Sequence, residues 1–411
     1  MTISRSEIPE RALAGRQTDG TAAGFGASEL FQVLRDGKPR TRAELASITG
    51  YARATVSSRI DELIRVGFIA PVADAASTGG RPSSRVAFNS QARVVAAADL
   101  GANHATVAIT DLSGTVLVEE RESRAISLGP KPVLDWLVKT IGVLLDRIAR
   151  QPSDLIGIGI GLPGPVEYST GTPTNPPIMP GWDGFAVPGY VRRTWNVPVL
   201  VDNDVNIMAL GEQTMCWPDV QHMIFVKVAT GIGSGIISGG KLQHGSDGSA
   251  GDIGHIAVER AKGTLCRCGN YGCLEAIAAV PAIVKGLAEK GLHVTNGEDV
   301  MELVRQGNPT ALLAVRQAGR DIGEMLNMCV AVVNPSVIVI GGSLAAAGQH
   351  VMAGIREAVY LRSMPLATKN LSIVLSQMGG EAGVVGAGIM AINHALAPQQ
   401  LEISGMTAHR A

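Results

Sequence analysis

Three of the chain's five cysteines fall within eight residues, in the run Cys266-Arg267-Cys268-Gly269-Asn270-Tyr271-Gly272-Cys273-Leu274-Glu275, and His255 stands eleven positions upstream. Glycines between the cysteines permit a tight knuckle. Three thiolates and one imidazole make the closed tetrahedral donor set of a structural zinc site, with Zn2+ on His255, Cys266, Cys268 and Cys273. A closed set leaves no position for water or substrate, so such an ion shapes the fold and does not react. The competing reading is a turn whose cysteines are small buried apolar residues. The glycine spacing leaves little chain there to bury them, which favours the metal.

A chain of 411 residues has room for two or three domains with large apolar cores. Aromatic residues make up 4%, while Gly, Ala, Val and Ile abound, which suits an α/β protein with parallel strands. No positively charged start followed by an apolar run suggests a secretory signal, and no apolar stretch reaches the ~20 residues that cross a bilayer. An odd number of cysteines, three of them assigned to a metal, argues for the reducing cytoplasm and no membrane association. Cys216 and Cys329 are expected in the core. The formal net charge is −1, but residues 27 to 93 hold ten Lys and Arg against six Asp and Glu. A basic head on an acidic body suggests that only the head meets a polyanion.

Residues 1–26 have no apolar period and are expected to form a flexible tail. Three short helices follow. Ser28 is placed to cap the first, which buries Leu30, Phe31 and Leu34. Thr41-Arg42-Ala43-Glu44 is a capping box for the second, with Leu45 and Ile48 inward and Gly50 at its end. The third spans about Arg53 to Val66 and buries Val56, Ile60, Leu63 and Ile64. Its opposite face carries Ala54, Thr55, Ser58 and Arg65, small and polar enough to enter a major groove. Phe68 to Ala70 and Arg85 to Phe88 read as strands of a wing. Between them Thr78-Gly79-Gly80-Arg81-Pro82 would bring the backbone close to DNA while Arg81 probes a minor groove. The predicted DNA contacts are Arg53, Thr55, Ser58, Arg59 and Arg81, in a homodimer or paired dimers on a palindromic double-stranded operator.

Beyond Arg93 strands predominate. Val94–Leu100, Thr106–Thr110 and Val116–Glu119 precede a helix at about Pro132–Ala149 and strands at Leu155–Ile160 and Val199–Val201. A second series runs Met223–Ala229, Gly235–Ser238, Val337–Ile340 and Leu371–Leu375. The block Ala250-Gly251-Asp252-Ile253-Gly254-His255, followed by the CxCGxxGCLE run, resembles the signature of the ROK family of repressors, open reading frames and sugar kinases. Asp252 stands where that family usually has glutamate. The resemblance spans about residues 28 to 396, wing included.

The resemblance implies a winged helix-turn-helix followed by a two-lobed actin-like ATPase (ribonuclease-H-like, sugar kinase) fold. The expected divisions are 1–26 (tail), 27–90 (DNA-binding head), 91–205 (lobe 1, completed by a C-terminal helix at about 381–396) and 206–380 (lobe 2 with the knuckle). It assigns sugar contacts to Asn203, Asp204, Asp252, His255 and Glu275, with Asp204 at the position of a kinase's catalytic base. Asp202, beside them, reads as a helix cap. Gly161 to Pro165 resembles the family's PGP loop and Pro180-Gly181-Trp182 its GW element, but Ile178 replaces a polar sugar contact.

Phosphoryl transfer needs glycine turns that cradle phosphates and a carboxylate for magnesium. The family's kinases begin with aspartate, a glycine pair and threonine. This chain has Asp99-Leu100-Gly101-Ala102-Asn103-His104, so a methyl crowds the loop and the hydroxyl is gone. The second turn, Thr230-Gly231-Ile232-Gly233-Ser234-Gly235, is better kept. The remnants are therefore Asp99, Gly101, Thr230, Gly231 and Gly233, a pattern that argues against ATP and Mg2+ as cofactors. A sugar-responsive transcriptional repressor that uses a degenerate kinase domain as its sensor fits best. The alternative is an active ATP-dependent hexose or N-acetylhexosamine kinase.

Overall fold

In a computed structural model, residues 25–72 and 85–401 are described. Residues 1–24 of the expected tail and the wing turn with Arg81 lie outside the described residues, and the tail's last two residues, Phe25 and Gly26, belong to the first helix. The described chain forms two compact units. One contains residues up to Asn89 together with those from Ala397 onward, and the other runs from Ser90 to Leu396.

The first unit contains α1 (Phe25–Leu34), β1 (Arg40–Thr41), α2 (Arg42–Thr49), α3 (Arg53–Arg65), β2 (Ile69–Val72) and β3 (Arg85–Phe88), with the strands ordered β1-β3-β2 and antiparallel. Its core is Leu30, Phe31, Leu34, Leu45, Val56, Ile60 and Leu63. The Phe31 ring lies 5.6 Å from both Phe68 and Phe88, tying helix to sheet. The capping box at Thr41 and Glu44 is formed, and Gly50 closes α2 in the left-handed conformation at φ 75°. Three sequence expectations are corrected. Ser28 lies inside α1 and is buried, because the helix begins by Phe25. Ile48 is 56% exposed, since the inward stripe of α2 runs through Leu45, Ala46 and Thr49. Ile64 is only half-buried.

The second unit repeats one topology. Lobe 1 contains β4 (Val94–Leu100), β5 (Ala105–Asp111), β6 (Val116–Glu122), α4 (Pro130–Arg147), β7 (Leu155–Leu162), the small pair β8 (Val166–Glu167) and β9 (Thr172–Pro173), α5 (Val187–Val191) and β10 (Val199–Asn203). Helix α6 (Asp204–Cys216) leads into lobe 2, with β11 (Met223–Val228), β12 (Ile232–Ser238) and β13 (Lys241–Leu242). Four helices follow: α7 (Glu275–Ala278), α8 (Val280–Ala288), α9 (Gly297–Arg305) and α10 (Pro309–Val333). The series closes with β14 (Val337–Gly341), α11 (Gln349–Arg362), α12 (Pro365–Thr368), β15 (Ser372–Leu375), α13 (Ala382–Ala395) and α14 (Pro398–Leu401), the last belonging to the first unit.

The sheets are ordered β10-β7-β4-β5-β6 and β13-β12-β11-β14-β15. In each, three meandering antiparallel strands are extended by two parallel ones on the side of the first strand. Covered on both faces, the central strands must be apolar throughout, and every residue of β4 and β14 is buried. Helices α10 and α11 cover one face of the second sheet, where Val315, Ile322, Val351 and Ile355 join Ile338 and Ile340. Cys216 and Cys329 are half-buried and not core residues, though Cys329 packs against this cluster's edge.

Helices α6 and α13 join the two lobes. Ile207 packs with Ala97 and Ala108 of the first sheet and with Val384 and Ala387, while Val205 and Ala209 pack with Phe225 and Val339 of the second. The helices cross so closely that a methyl on Gly386 would stand 1.7 Å from the Ile207 carbonyl oxygen, and one on Gly211 2.4 Å from that of Ala382. Backbone cannot yield there as a flexible side chain would. Gly386→Ala is therefore expected to cost about 3 kcal/mol. Urea denaturation checks it, and a midpoint equal to wild type would contradict the crossing.

Candidate functional site

Between the lobes of the second unit lies a cleft of about 890 Å³, within the usual range for a small-molecule site. Helix α6 aims its amino terminus into it. Asn203 is the helix cap, accepting a hydrogen bond from Val205 N at 2.9 Å, and its amide donates to the Gly164 carbonyl at 3.0 Å. The cap expected of Asp202 is thus supplied by its neighbour. Asp202 instead accepts from Asn203 N and the Asn206 amide and lies 2.7 Å from His244, over which Tyr168 stacks. This buried network braces the turn that presents Asp204.

Asp204 is buried, and its Oδ2 accepts from the Lys227 ammonium at 2.5 Å. Burial pushes the Asp204 carboxyl up, opposed by Lys227. Burial also works against the Lys227 charge, but Asp204 and Asp99 outweigh it and hold the lysine above its ordinary value. Lys227 was missed by sequence reasoning. The available signal was a single charge inside the otherwise apolar strand Met-Ile-Phe-Val-Lys-Val, since lysine is almost never buried without a partner.

The other rim belongs to lobe 2. Cys266 N donates to the Asn270 carbonyl and Gly272 N to that of Thr264, folding the knuckle over glycines at φ 90° (Gly269) and 89° (Gly272). The donor atoms of His255, Cys266, Cys268 and Cys273 all lie within 4.8 Å of one another. The Cys268 and Cys273 sulfurs are 3.7 Å apart, and His255 Nδ1 is 3.7 Å from the Cys266 sulfur. Two sulfurs at about 2.3 Å from one tetrahedral ion would be separated by about 3.8 Å, so the cluster fits a metal ion. His255 turns Nδ1 toward the thiols and borders the cleft, as do Asp252 and Glu275. Glu275 accepts from Ile232 N at 3.1 Å and pairs with Arg267 at 3.1 Å, while Arg267 also donates to the Thr230 carbonyl. The knuckle is thereby laced to the second glycine turn.

Of the first loop, Asp99 borders the cleft but Gly101 does not. The His104 ring lies over Gly101, 2.1 Å from where a methyl would be, and its Nε2 is 3.4 Å from Asp99 Oδ2. Ala102 and Asn103 line the space instead, with Ile178 and the Gly164 loop. Trp182 does not reach it: the indole is buried in lobe 1 and donates to the Ile126 carbonyl at 3.0 Å. Thr230, Gly231 and Gly233 line the cleft as expected. On α3, Arg53, Thr55 and Ser58 are exposed, while Arg59 is half-buried and pairs with Glu62 at 3.1 Å.

A model of the ROK family matches residues 95–394, and the chain belongs to that family. It is 28% identical over 381 residues to the xylose repressor of Caldicellulosiruptor bescii, covering 89% of this chain and 95% of that one. Among solved structures, a ROK family transcriptional regulator, homologous to the E. coli MLC protein, superposes with a TM-score of 0.79 at 25% identity over 92% of this chain and 98% of its own. A ROK family glucokinase from Streptomyces griseus, in complex with glucose and AMPPNP, gives 0.62 at 26% identity over 72% and 99%. The regulator's match thus covers more of this chain than the kinase's, 92% against 72%.

Removing one carboxylate from the buried pair leaves Lys227 the other. Asp204→Asn is expected to cost only about 1–3 kcal/mol, because Asp99 still opposes the ammonium. The Asp99→Asn/Asp204→Asn double variant should lose more than the sum of the two single changes. Urea titrations of the four proteins check this, and strict additivity would contradict the shared counter-charge.

Proposed function

We propose that this protein is a sugar-responsive, DNA-binding transcriptional repressor that uses a degenerate sugar-kinase domain as its sensor. One observation carries the reading: the cleft keeps its sugar-side residues while the imidazole of His104 closes the first phosphate loop. The similarity to two regulators along nearly the whole chain supports it. The preserved second turn at Thr230 to Gly235 supports a kinase reading instead, but a phosphate needs both cradles. The residues of the first loop do not fit ATP with Mg2+.

Asn203, Asp204, Asp252, His255 and Glu275 are read as the contacts for sugar hydroxyls, Asp204 as an acceptor and not as a base. On the head, Thr55 and Ser58 suit base edges, and Arg53 suits a base or phosphate. Arg59, drawn toward Glu62, suits phosphate more than base. Two heads on a palindrome fit the contact count that specific affinity needs, so a homodimer or a pair of dimers is inferred. No helix among the described residues is long and apolar enough to cross a membrane.

Zinc is the ion that suits three thiolates and an imidazole in a closed set. Bound there, it would fix the rim that carries His255 and Glu275. Metal analysis of protein purified without chelator should find about one zinc per chain, and Cys268→Ala should lose both the metal and the ligand response. Less than half an equivalent in the wild type would contradict the assignment.

A sugar can alter operator affinity only by binding the DNA-competent and DNA-incompetent arrangements unequally. A ligand held by Asp204 on one side and Glu275 on the other favours a closed cleft, which supplies that inequality. The expected response is a 5- to 150-fold change, from a typical coupling of about 1–3 kcal/mol. A panel of pentoses and hexoses screened by thermal shift identifies the effector. Asp204→Asn and Glu275→Ala should then keep operator binding and lose the response in an anisotropy titration. A folded Asp204→Asn protein that ignores DNA, or that answers the sugar normally, would overturn the reading.

A further inference from the structure

Lys227 is the penultimate residue of an otherwise buried strand, and its side chain is 18% exposed. It borders the same cleft as Asp99 and Asp204 and bonds the second of these at 2.5 Å. Asp99 is itself 7% exposed, and among the described residues its Oδ1 has no hydrogen-bond partner. Its Oδ2 meets only the long contact to His104 at 3.4 Å. A buried carboxylate oxygen left without a partner is costly and calls for a nearby positive charge.

Phosphoryl transfer would use two such carboxylates differently. One would position a divalent cation that neutralises phosphate oxygens, and the other would take the attacking hydroxyl's proton. Lys227 conflicts with both uses. Bonded to Asp204 Oδ2, the ammonium stabilises the carboxylate form and so opposes its taking up a proton. Its charge also acts on Asp99 and repels a divalent ion from that carboxylate, whose Oδ1 has no hydrogen-bond partner among the described residues. For recognition alone the arrangement is favourable. Lysine has three N–H donors and gives one to Asp204, so donor and acceptor stand side by side for a vicinal diol.

We propose that the Lys227 ammonium is an internal substitute for a divalent cation at the Asp99–Asp204 pair, making the cleft a metal-independent binder of a polyhydroxylated ligand. The inference rests on the sensor reading for the nature of that ligand, but not for the cation itself. One positive charge shared by the pair also helps explain how two carboxylates tolerate one partly buried space.

The test is a Mn2+ titration of the full-length chain followed by electron paramagnetic resonance. Wild type should take up no Mn2+ at the cleft below millimolar concentration. Lys227→Ala and the near-isosteric Lys227→Gln should each gain one site, tightened roughly a hundredfold or more by removal of one adjacent positive charge. Adding Asp99→Asn should abolish the gain. Uptake by wild type that Asp99→Asn removes, or folded neutral variants that gain nothing, would overturn the proposal. If neither neutral variant folds, wild type and Lys227→Arg decide it: both free of Mn2+ uphold the substitution, and uptake by either at Asp99 refutes it. Operator binding is measured on the same samples. Its loss in wild type would count against the repressor reading and leave the cation assignment intact.

Discussion

The backbone contact between α6 and α13 is the constraint on which the second unit depends. Each sheet could bury its own outer helices alone, as α10 and α11 do for lobe 2. Among the described helices, it is the crossing at Gly211 and Gly386 that serves both sheets, through Ile207 on one side and Val205 and Ala209 on the other. Two helices lacking side chains at their contact approach to backbone distance, which fixes the axis of α6. That axis determines where Asp204 points, because Asp204 is the first residue of the helix. Packing energy spent far from the ligand thus becomes precision at the cleft.

The cleft joins two kinds of support. On the lobe 1 side, Asp202 is held by Asn206 and His244 and Asn203 by its own cap, so the turn before Asp204 has little freedom. On the lobe 2 side the thiol and imidazole cluster does the corresponding work, and Arg267 links it to Glu275 and Thr230. A ligand touching both sides would bridge two rigid rims across a space about 890 Å³ in volume. Rims braced in advance suit a sensor, since little binding energy then goes into ordering the site.

Much of this was legible in the sequence because the informative residues are local. Spacing alone grouped His255 with Cys266, Cys268 and Cys273, and strand positions followed from apolar runs such as Val94 to Leu100, every residue of which is buried. The Thr41–Glu44 box needed only four residues. What escaped was decided by contacts distant in sequence. Nothing near Lys227 announces its bond to Asp204, twenty-three residues away. Trp182 was placed only by its motif, and its bond to the Ile126 carbonyl in the core, fifty-six positions distant, could not be read from it. Ser28 and Asp202 were misassigned for a milder reason: a cap depends on where the helix starts, and α1 already begins by Phe25 while the cap of α6 falls one residue on, at Asn203.

Central to the proposed function is a cleft that recognises sugar without phosphorylating it. The most direct measurement is a single-turnover reaction with excess radiolabelled ATP and Mg2+, run with the sugar that changes operator affinity. No labelled sugar phosphate is expected over many hours, with the same sample answering that sugar in an operator titration. Formation of a stoichiometric amount of sugar phosphate by the wild-type chain would contradict the proposed function.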